Sequence, residues 1–143
     1  MVVINSFQLI SFQLSALPEI AYSYYMISSY KNLIVWQKSM ELVIEVYKLT
    51  DAFPKTEMFG LVSQMRRCAV SIPSNIAEGK QRGTRKEYRQ FTMIAFGSGA
   101  ELETQIEISK RLGFCEKEDY IKVDELLGEI LRMLNKLRHS LDN

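Results

Sequence analysis

Residues 120–141 read YIKVDELLGEILRMLNKLRHSL, and this stretch decides the fold. Steps of three and four residues place side chains on one face of an α-helix, and their strict alternation is typical of the seam of a helical bundle. We therefore predict a long helix, from about Lys117 to Leu141, that packs on other helices. The apolar seam consists of Tyr120, Val123, Leu127, Ile130, Leu134, Leu137 and Leu141.

Three amphipathic segments precede this helix and repeat with a helical period. Short connections between long helices make neighbouring helices antiparallel. We therefore expect an all-α fold, an antiparallel up-and-down four-helix bundle, over residues 31–143. The first three helices are predicted at about residues 33–53, 57–80 and 84–112.

Local signals predict where some of these helices begin and end. Thr84 and Glu87 have the spacing of a capping box, in which a hydroxyl and a carboxylate accept hydrogen bonds from N–H groups at the helix start. Gly113 suits the left-handed residue that follows a helix. Thr56 is the expected N-cap of the second helix.

The second helix contains Pro73 within its apolar stripe. Proline cannot donate to the carbonyl of Ala69 and crowds that turn, at a cost of about 3 kcal/mol. The stripe stays in phase from Ile72 to Ile76, so we expect a kinked second helix rather than two helices. The expected partners of the freed carbonyl are Ser71, Ser74 and Asn75.

The first helix has more apolar surface than one bundle core needs. A helix at the surface of a bundle needs only one apolar stripe, which packs against the core. The two stripes found here therefore predict contact with another copy of the chain. The first consists of Trp36, Met40, Val43, Ile44 and Tyr47, and the second of Leu42, Val46, Leu49 and Phe53.

Two glycines, Gly97 and Gly99, lie in the middle of the third helix. Each costs about 1 kcal/mol relative to alanine in a helix interior. We therefore expect another helix to approach closely at this point, opposite Pro73 or Trp36.

Residues 1–30 differ from the rest of the chain, because they contain one charged residue, Glu19, and no persistent helical or strand period. We interpret them as an extension outside the domain, and we expect the functional chain to start near Met26. No stretch reaches the roughly 18 consecutive apolar residues of a membrane span. With two distant cysteines, Cys68 and Cys115, the sequence favours a cytoplasmic protein that has no membrane partner.

The sequence does not predict an enzyme. His139 is the only histidine, so a Cys–His or Ser–His pair is not expected, and the two Glu-x-x-His motifs of a di-iron bundle are missing. Glu103 and Glu107 share a helix face, but a solvated face with Glu107 paired to Arg111 is the simpler interpretation. We expect no catalytic residue, no metal and no cofactor.

The net charge of +1 hides two oppositely charged segments. Residues 66–89 contain seven bases and two acids, giving +5, whereas residues 101–129 contain four bases and nine acids, giving −5. Clustered cations attract nucleic-acid phosphates. An ordinary solvated turn, or a surface that meets the acidic segment of a neighbouring subunit, explains the bases equally well.

The candidate nucleic-acid-binding residues surround the predicted turn between the second and third helices. They are Lys80, Arg82, Arg85, Lys86 and Arg89. Arg66 and Arg67 rank below them, because they lie in mid-helix and could instead pair with Glu101 or Glu103 across an interface.

Several motifs carry a resemblance to a known family. They are VWQKSM at 35–40, QMRRCAVSIPSNIAEG at 64–79, GS at 97–98 and ELETQ at 101–105. Over about residues 31–141 the chain resembles the bacterial four-helix-bundle family encoded in 23S rRNA intervening sequences. Two features depart from it: Cys115 stands where a serine or threonine cap is usual, and residues 1–25 have no counterpart.

The family is more distantly similar to the accessory variability determinant protein of diversity-generating retroelements, a pentameric ring that binds nucleic acid and a reverse transcriptase. The resemblance therefore implies a ring-shaped homopentamer whose partners are RNA or DNA, and a reverse transcriptase or another protein. We predict a non-enzymatic oligomer that binds nucleic acid through the basic turn. The alternative is a structural oligomer or adaptor that binds a protein partner and has no nucleic-acid role.

Overall fold

Four α-helices dominate residues 29–142, the part of the chain that this computed structural model describes. No strand occurs within that range, so the all-α prediction is confirmed. The interpretation of residues 1–30 as an extension, with a start near Met26, falls almost wholly on residues outside it. The helices are α1 (Ile34–Asp51), α2 (Leu61–Gln81), α3 (Arg85–Arg111) and α4 (Ile121–Ser140), with 3-10 turns at Tyr30–Asn32, Lys55–Glu57 and Lys117–Tyr120.

The helices pack around one apolar core. Both α1 and α3 pack on α2 and on α4, so α1 and α3 lie at diagonal corners. Five residues of the predicted α4 seam are buried in the core, each at most 2% exposed: Tyr120, Val123, Leu127, Ile130 and Leu134. The last two, Leu137 and Leu141, are only half-buried. None of the helices in residues 29–142 combines the length and the apolar character needed to cross a membrane.

The caps of α3 lie where they were predicted, although the Glu87 carboxylate accepts from the Thr84 hydroxyl rather than from a backbone N–H. The Glu87 N–H donates to the Thr84 hydroxyl oxygen at 3.2 Å, and that hydroxyl donates to the Glu87 carboxylate at 2.6 Å. At the other end, Gly113 has a φ of +70°. The N–H groups of Gly113 and Phe114 donate to the carbonyls of Lys110 and Ser109, which is a Schellman motif.

The predicted start of α2 is wrong. Thr56 lies in the 3-10 turn rather than at an N-cap, and α2 begins only at Leu61. The Glu57 carboxylate replaces the expected hydroxyl, because it accepts from the Leu61 N–H at 3.3 Å. An acceptor of this kind satisfies one of the unpaired N–H groups that every helix start exposes.

The second helix continues through Pro73, as predicted. The expected hydrogen bonds to the Ala69 carbonyl are wrong, however. Ser74 donates to the carbonyl of Val70 at 2.8 Å, and Asn75 donates to that of Ser71 at 2.8 Å. Each side chain reaches the carbonyl four residues before it, which leaves the carbonyl of Ala69 beyond both. The kink itself stays a prediction.

Glycine allows two close approaches between helices. A Cβ on Gly99 would lie 2.6 Å from a methyl group of Leu131 on α4, whereas one on Gly97 would meet nothing within 4 Å. The predicted close approach is therefore confirmed at Gly99, but its partner is α4 rather than Pro73 or Trp36. The second approach is at Gly79 of α2, where a Cβ would lie 2.7 Å from the Cβ of Phe91 on α3.

Candidate nucleic-acid interface

The turn between α2 and α3 brings the candidate bases together. Three residues join α2, which ends at Gln81, to α3, and among them Gly83 has a φ of +86°, a conformation that residues with a side chain rarely adopt. The last turn of α2 and the first turn of α3 are therefore neighbours. This turn gathers the five higher-ranked candidates, Lys80, Arg82, Arg85, Lys86 and Arg89.

Two aromatic side chains support the bases of this turn. The Lys80 ammonium lies 5.5 Å from the ring centre of Tyr88, and the Arg82 guanidinium lies 5.1 Å from that of Phe91. Tyr88 and Phe91 are half-buried against Gly79, and burial raises the pKa of the Tyr88 hydroxyl. The rings therefore hold long cationic side chains at the surface through cation–π contacts.

The five bases differ in whether they have a partner within the chain. Arg82 pairs with Glu78 at 2.7 Å, one helical turn earlier. Lys86 is exposed and makes no ion pair among the described residues. Arg85 donates to the Ser140 carbonyl, and Arg89 pairs with Asp142. Lys86 is thus the most available cation of the five.

The contacts of Arg85 and Arg89 place the end of α4 beside the turn. Three further bases, Lys136, Arg138 and His139, therefore belong to the same end of the bundle, which sequence reasoning missed. Residues 78–89 and 135–142, called the basic end below, contain seven Lys and Arg and three acids, so 7 − 3 = +4. The predicted up-and-down topology was the available signal in the sequence, because such a topology would place the end of the fourth helix beside this turn.

Asp142 contacts two basic residues of the basic end, Arg89 and His139. One carboxylate oxygen accepts from the Arg89 guanidinium, and the other lies 3.2 Å from Nδ1 of His139. The hydrogen bond from Arg89 is the main cause that holds the pKa of the Asp142 carboxyl below its usual value.

Arg66 and Arg67 lie away from the basic end. Arg66 precedes Lys80 by 14 residues on α2, or about 21 Å at 1.5 Å per residue. It donates to Thr50 at 2.9 Å and to Asp51 at 2.7 Å, so it pairs within its own chain rather than with Glu101 or Glu103. Arg67 lines a groove between α2 and α3 that also contains Glu101. The structure therefore separates both arginines from the other candidates.

The two apolar stripes of α1 have different surroundings. The stripe of Leu42, Val46, Leu49 and Phe53 is buried in the core. In the other stripe, Trp36 and Val43 pack partly on the core, whereas Met40, Ile44 and Tyr47 are exposed. Tyr47 also lines a groove with Met58 and with Phe59, whose side chain is 97% exposed. We call Met40, Ile44, Tyr47, Met58 and Phe59 the α1 face.

A second apolar surface lies on the outer side of α3. Its exposed residues, called the α3 face, are Met93, Ile94, Gly97, Ala100, Thr104 and Ile108. The charges around the two faces are opposite in part. Arg66 and Arg67 border the α1 face, whereas Glu103 and Glu107 line the groove at Thr104 and Ile108, with Arg111 paired to Glu107.

No group of three or more His, Cys, Asp or Glu side chains in residues 29–142 is placed to hold a metal ion. Cys68 is buried, and its burial, followed by the nearby Glu101 carboxylate, raises the pKa of the thiol. A raised pKa keeps a thiol protonated at neutral pH and therefore weakly nucleophilic.

Comparisons with known proteins agree with this architecture. A family model described as 23S rRNA-intervening sequence protein matches residues 31–136. A crystal structure of a protein of unknown function from the S23 ribosomal protein family of Bacteroides thetaiotaomicron is similar, with a TM-score of 0.66 and 25% identity. The match covers 73% of this chain and 98% of the other. A comparison with curated proteins gives no match.

Proposed function

The chain belongs to the 23S rRNA-intervening sequence protein family, and we propose that it is a non-enzymatic oligomer that binds nucleic acid through the basic end. One observation carries the proposal. The α2–α3 turn and the end of α4 place seven bases beside three acids, a local charge of 7 − 3 = +4 in a chain whose total is +1.

The bases would act as phosphate contacts. Lys and Arg that neutralise phosphates release counterions and supply sequence-independent affinity. The bases of the basic end are long side chains at a turn and at the ends of helices. Lys80, Arg82, Arg85 and Lys86 are therefore expected to fix the position of a backbone rather than to select a sequence.

The proposal includes helices that alternate in direction. Two ion pairs support this arrangement: Arg66 of α2 with Asp51 at the end of α1, and Lys110 of α3 with Asp124 near the start of α4. Each joins the end of one helix to the beginning of the next. The contact of Arg89 with Asp142 joins the opposite ends of α3 and α4 in the same way.

The proposed oligomer is a ring in which the α1 face of one subunit contacts the α3 face of the next. The two faces lie at diagonal corners of the bundle and are different surfaces, and a head-to-tail contact between different surfaces closes into a ring when its rotation permits. Phe59 and the groove at Thr104 and Ile108 lie toward the same end of the bundle. Their opposite border charges favour this pairing, and the family resemblance sets the expected number of subunits at five.

A ring would contain one basic end per subunit. Symmetry places the same end of every subunit on the same rim, so five local charges of +4 would face one side. Linked sites bind a polyanion with higher avidity than one site, provided that the ligand spans them.

Salt dependence tests the proposal. We expect a fluorescent RNA hairpin and a DNA duplex to bind the purified full chain in 50 mM salt. If four phosphates of B-DNA are contacted, raising the salt to 200 mM should weaken binding by about a hundredfold, from a slope of about −0.9 per contact. Two results would reject the proposal: no binding of either nucleic acid in 50 mM salt, or an affinity that does not change with salt concentration. Either result would favour an adaptor for a protein partner, such as a reverse transcriptase.

A further inference from the structure

The carboxylate of Asp142 binds at the basic end in the way that an external anion would. Its two oxygens have different partners, the Arg89 guanidinium and Nδ1 of the His139 ring. Arg85 holds the carbonyl of Ser140, two residues earlier, and so fixes the segment that carries the carboxylate. This cluster is therefore an anion site that already contains an anion from the same chain.

We propose that Arg89 and His139 form a phosphate subsite and that the Asp142 carboxylate occupies it until a phosphate displaces it. The proposal deepens the proposed function, on which its biological meaning rests, because it assigns one phosphate of the bound nucleic acid to named residues. It also assigns Asp142 the role of an internal competitor.

Chemistry favours the exchange. A guanidinium binds both carboxylate and phosphate with charge-assisted hydrogen bonds. The Arg89 and Asp142 side chains are each 38% exposed, so a phosphate has access to both partners without unfolding the bundle. An exposed ion pair contributes little free energy, which makes its displacement easy.

The other acids of the basic end are in different positions. Glu78 pairs with Arg82, and Glu87 accepts from Thr84 in the cap of α3. Neither lies between a guanidinium and the His139 ring. A competitor lowers the apparent affinity of a site by the fraction of time that it occupies the site. Asp142 is thus the acid whose removal should strengthen phosphate binding.

The first test uses inorganic phosphate as the probe. Backbone amide spectra of the full chain are recorded during a phosphate titration at constant ionic strength and pH 7. We expect amides near residues 85–89 and 139–142 to shift, and Asp142→Asn to bind phosphate about two- to fivefold more tightly, the range of one exposed ion pair. Arg89→Gln should abolish the shifts at these amides, while melting curves confirm that it is folded.

Asp124→Asn is the matched control. Asp124 is also an exposed aspartate with one cationic partner, Lys110 at 2.7 Å, and it lies about 27 Å from Asp142 along α4. Its substitution should leave phosphate binding as in the original chain. Equal affinities of the Asp142→Asn variant and the original chain, or phosphate shifts that avoid both segments, would overturn the proposal.

Measuring the binding of an RNA hairpin and a DNA duplex to Asp142→Asn distinguishes this proposal from the proposed function. Tighter phosphate binding by Asp142→Asn with no RNA or DNA binding would support the subsite and reject the nucleic-acid role. Nucleic-acid binding that Asp142→Asn leaves unchanged would support the nucleic-acid role and reject the subsite.

Discussion

The two ends of the bundle differ in how their charged side chains are balanced. At the basic end, seven Lys and Arg outnumber three acids. At the opposite end, residues 48–57 and 107–124 contain six bases and seven acids, so 6 − 7 = −1. Several of those bases are paired, as in Lys48–Glu45, Lys110–Asp124 and Arg111–Glu107. The excess of positive charge, rather than the number of charges, therefore marks the candidate interface.

The ends also differ in their apolar surface. The opposite end carries Phe59, 97% exposed, whereas the aromatic rings of the basic end, Tyr88 and Phe91, are half-buried beneath bases. An exposed aromatic side chain surrounded by other apolar groups is typical of a protein contact. The comparison therefore supports the proposal that one end mediates assembly and the other binds nucleic acid.

The largest expected effect comes from Phe59→Glu. A carboxylate in the α1 face would lose its water if a second subunit covered it, so we expect light scattering at micromolar concentration to show monomers instead of the ring. Nucleic-acid affinity should fall as well, because basic ends would no longer be linked. Ile121→Glu is the control, since Ile121 is 54% exposed but belongs to neither face. A monomeric original chain would contradict the ring.

The next effect concerns the packing that supports the basic end. A Cβ on Gly79 would lie 2.7 Å from the Cβ of Phe91, which cannot rotate away. Gly79→Ala should therefore lower the free energy of unfolding by about 1–3 kcal/mol in chemical denaturation. Gly128→Ala, on α4, would meet only the flexible end of Arg132 at 3.4 Å and should raise stability by up to about 1 kcal/mol. Equal stabilities of the two variants would refute the close approach of α2 and α3.

The smallest expected effect concerns the bases at the end of α4, which the sequence analysis did not include in the candidate interface. Lys136 is exposed at the basic end, so Lys136→Glu should weaken DNA binding severalfold and flatten the salt slope by about 0.9, the value of one phosphate contact. Lys122 is exposed on the same helix, 14 residues earlier and near the opposite end. Lys122→Glu should leave the slope unchanged. If both variants change the slope equally, the charge acts through the whole molecule rather than through one end.

Much of the fold could be predicted because its signals are local. The seam of α4 alternates in steps of three and four, and Thr84 and Gly113 act through atoms within a few residues of themselves. The start of α2 could not be predicted, since serine or threonine caps and a nearby glutamate are alternative solutions to the same unpaired N–H groups. Only the three-dimensional turn decides that Glu57 reaches Leu61.

The candidate site was predicted in part. Bases that are close in sequence, from Lys80 to Arg89, meet because a three-residue turn joins their helices. Arg66 was grouped with them by counting charge along the chain, a measure that ignores the length of α2. The pairing of Arg89 with Asp142 depends on the register of α3 against α4 to within one residue, which amphipathic periodicity does not fix.

The most direct test of nucleic-acid binding at the basic end compares two triple charge reversals. Arg82→Glu, Arg85→Glu and Lys86→Glu change the α2–α3 turn, whereas Lys55→Glu, Lys117→Glu and Lys122→Glu change three exposed lysines at the opposite end. Both variants convert three cations into three anions, so their net charges are equal. With both oligomers confirmed as intact by light scattering, binding to an RNA hairpin and a DNA duplex is measured in 50 mM salt. We predict that the first variant loses binding and that the second retains it within a few-fold; equal binding by the two variants would contradict the account.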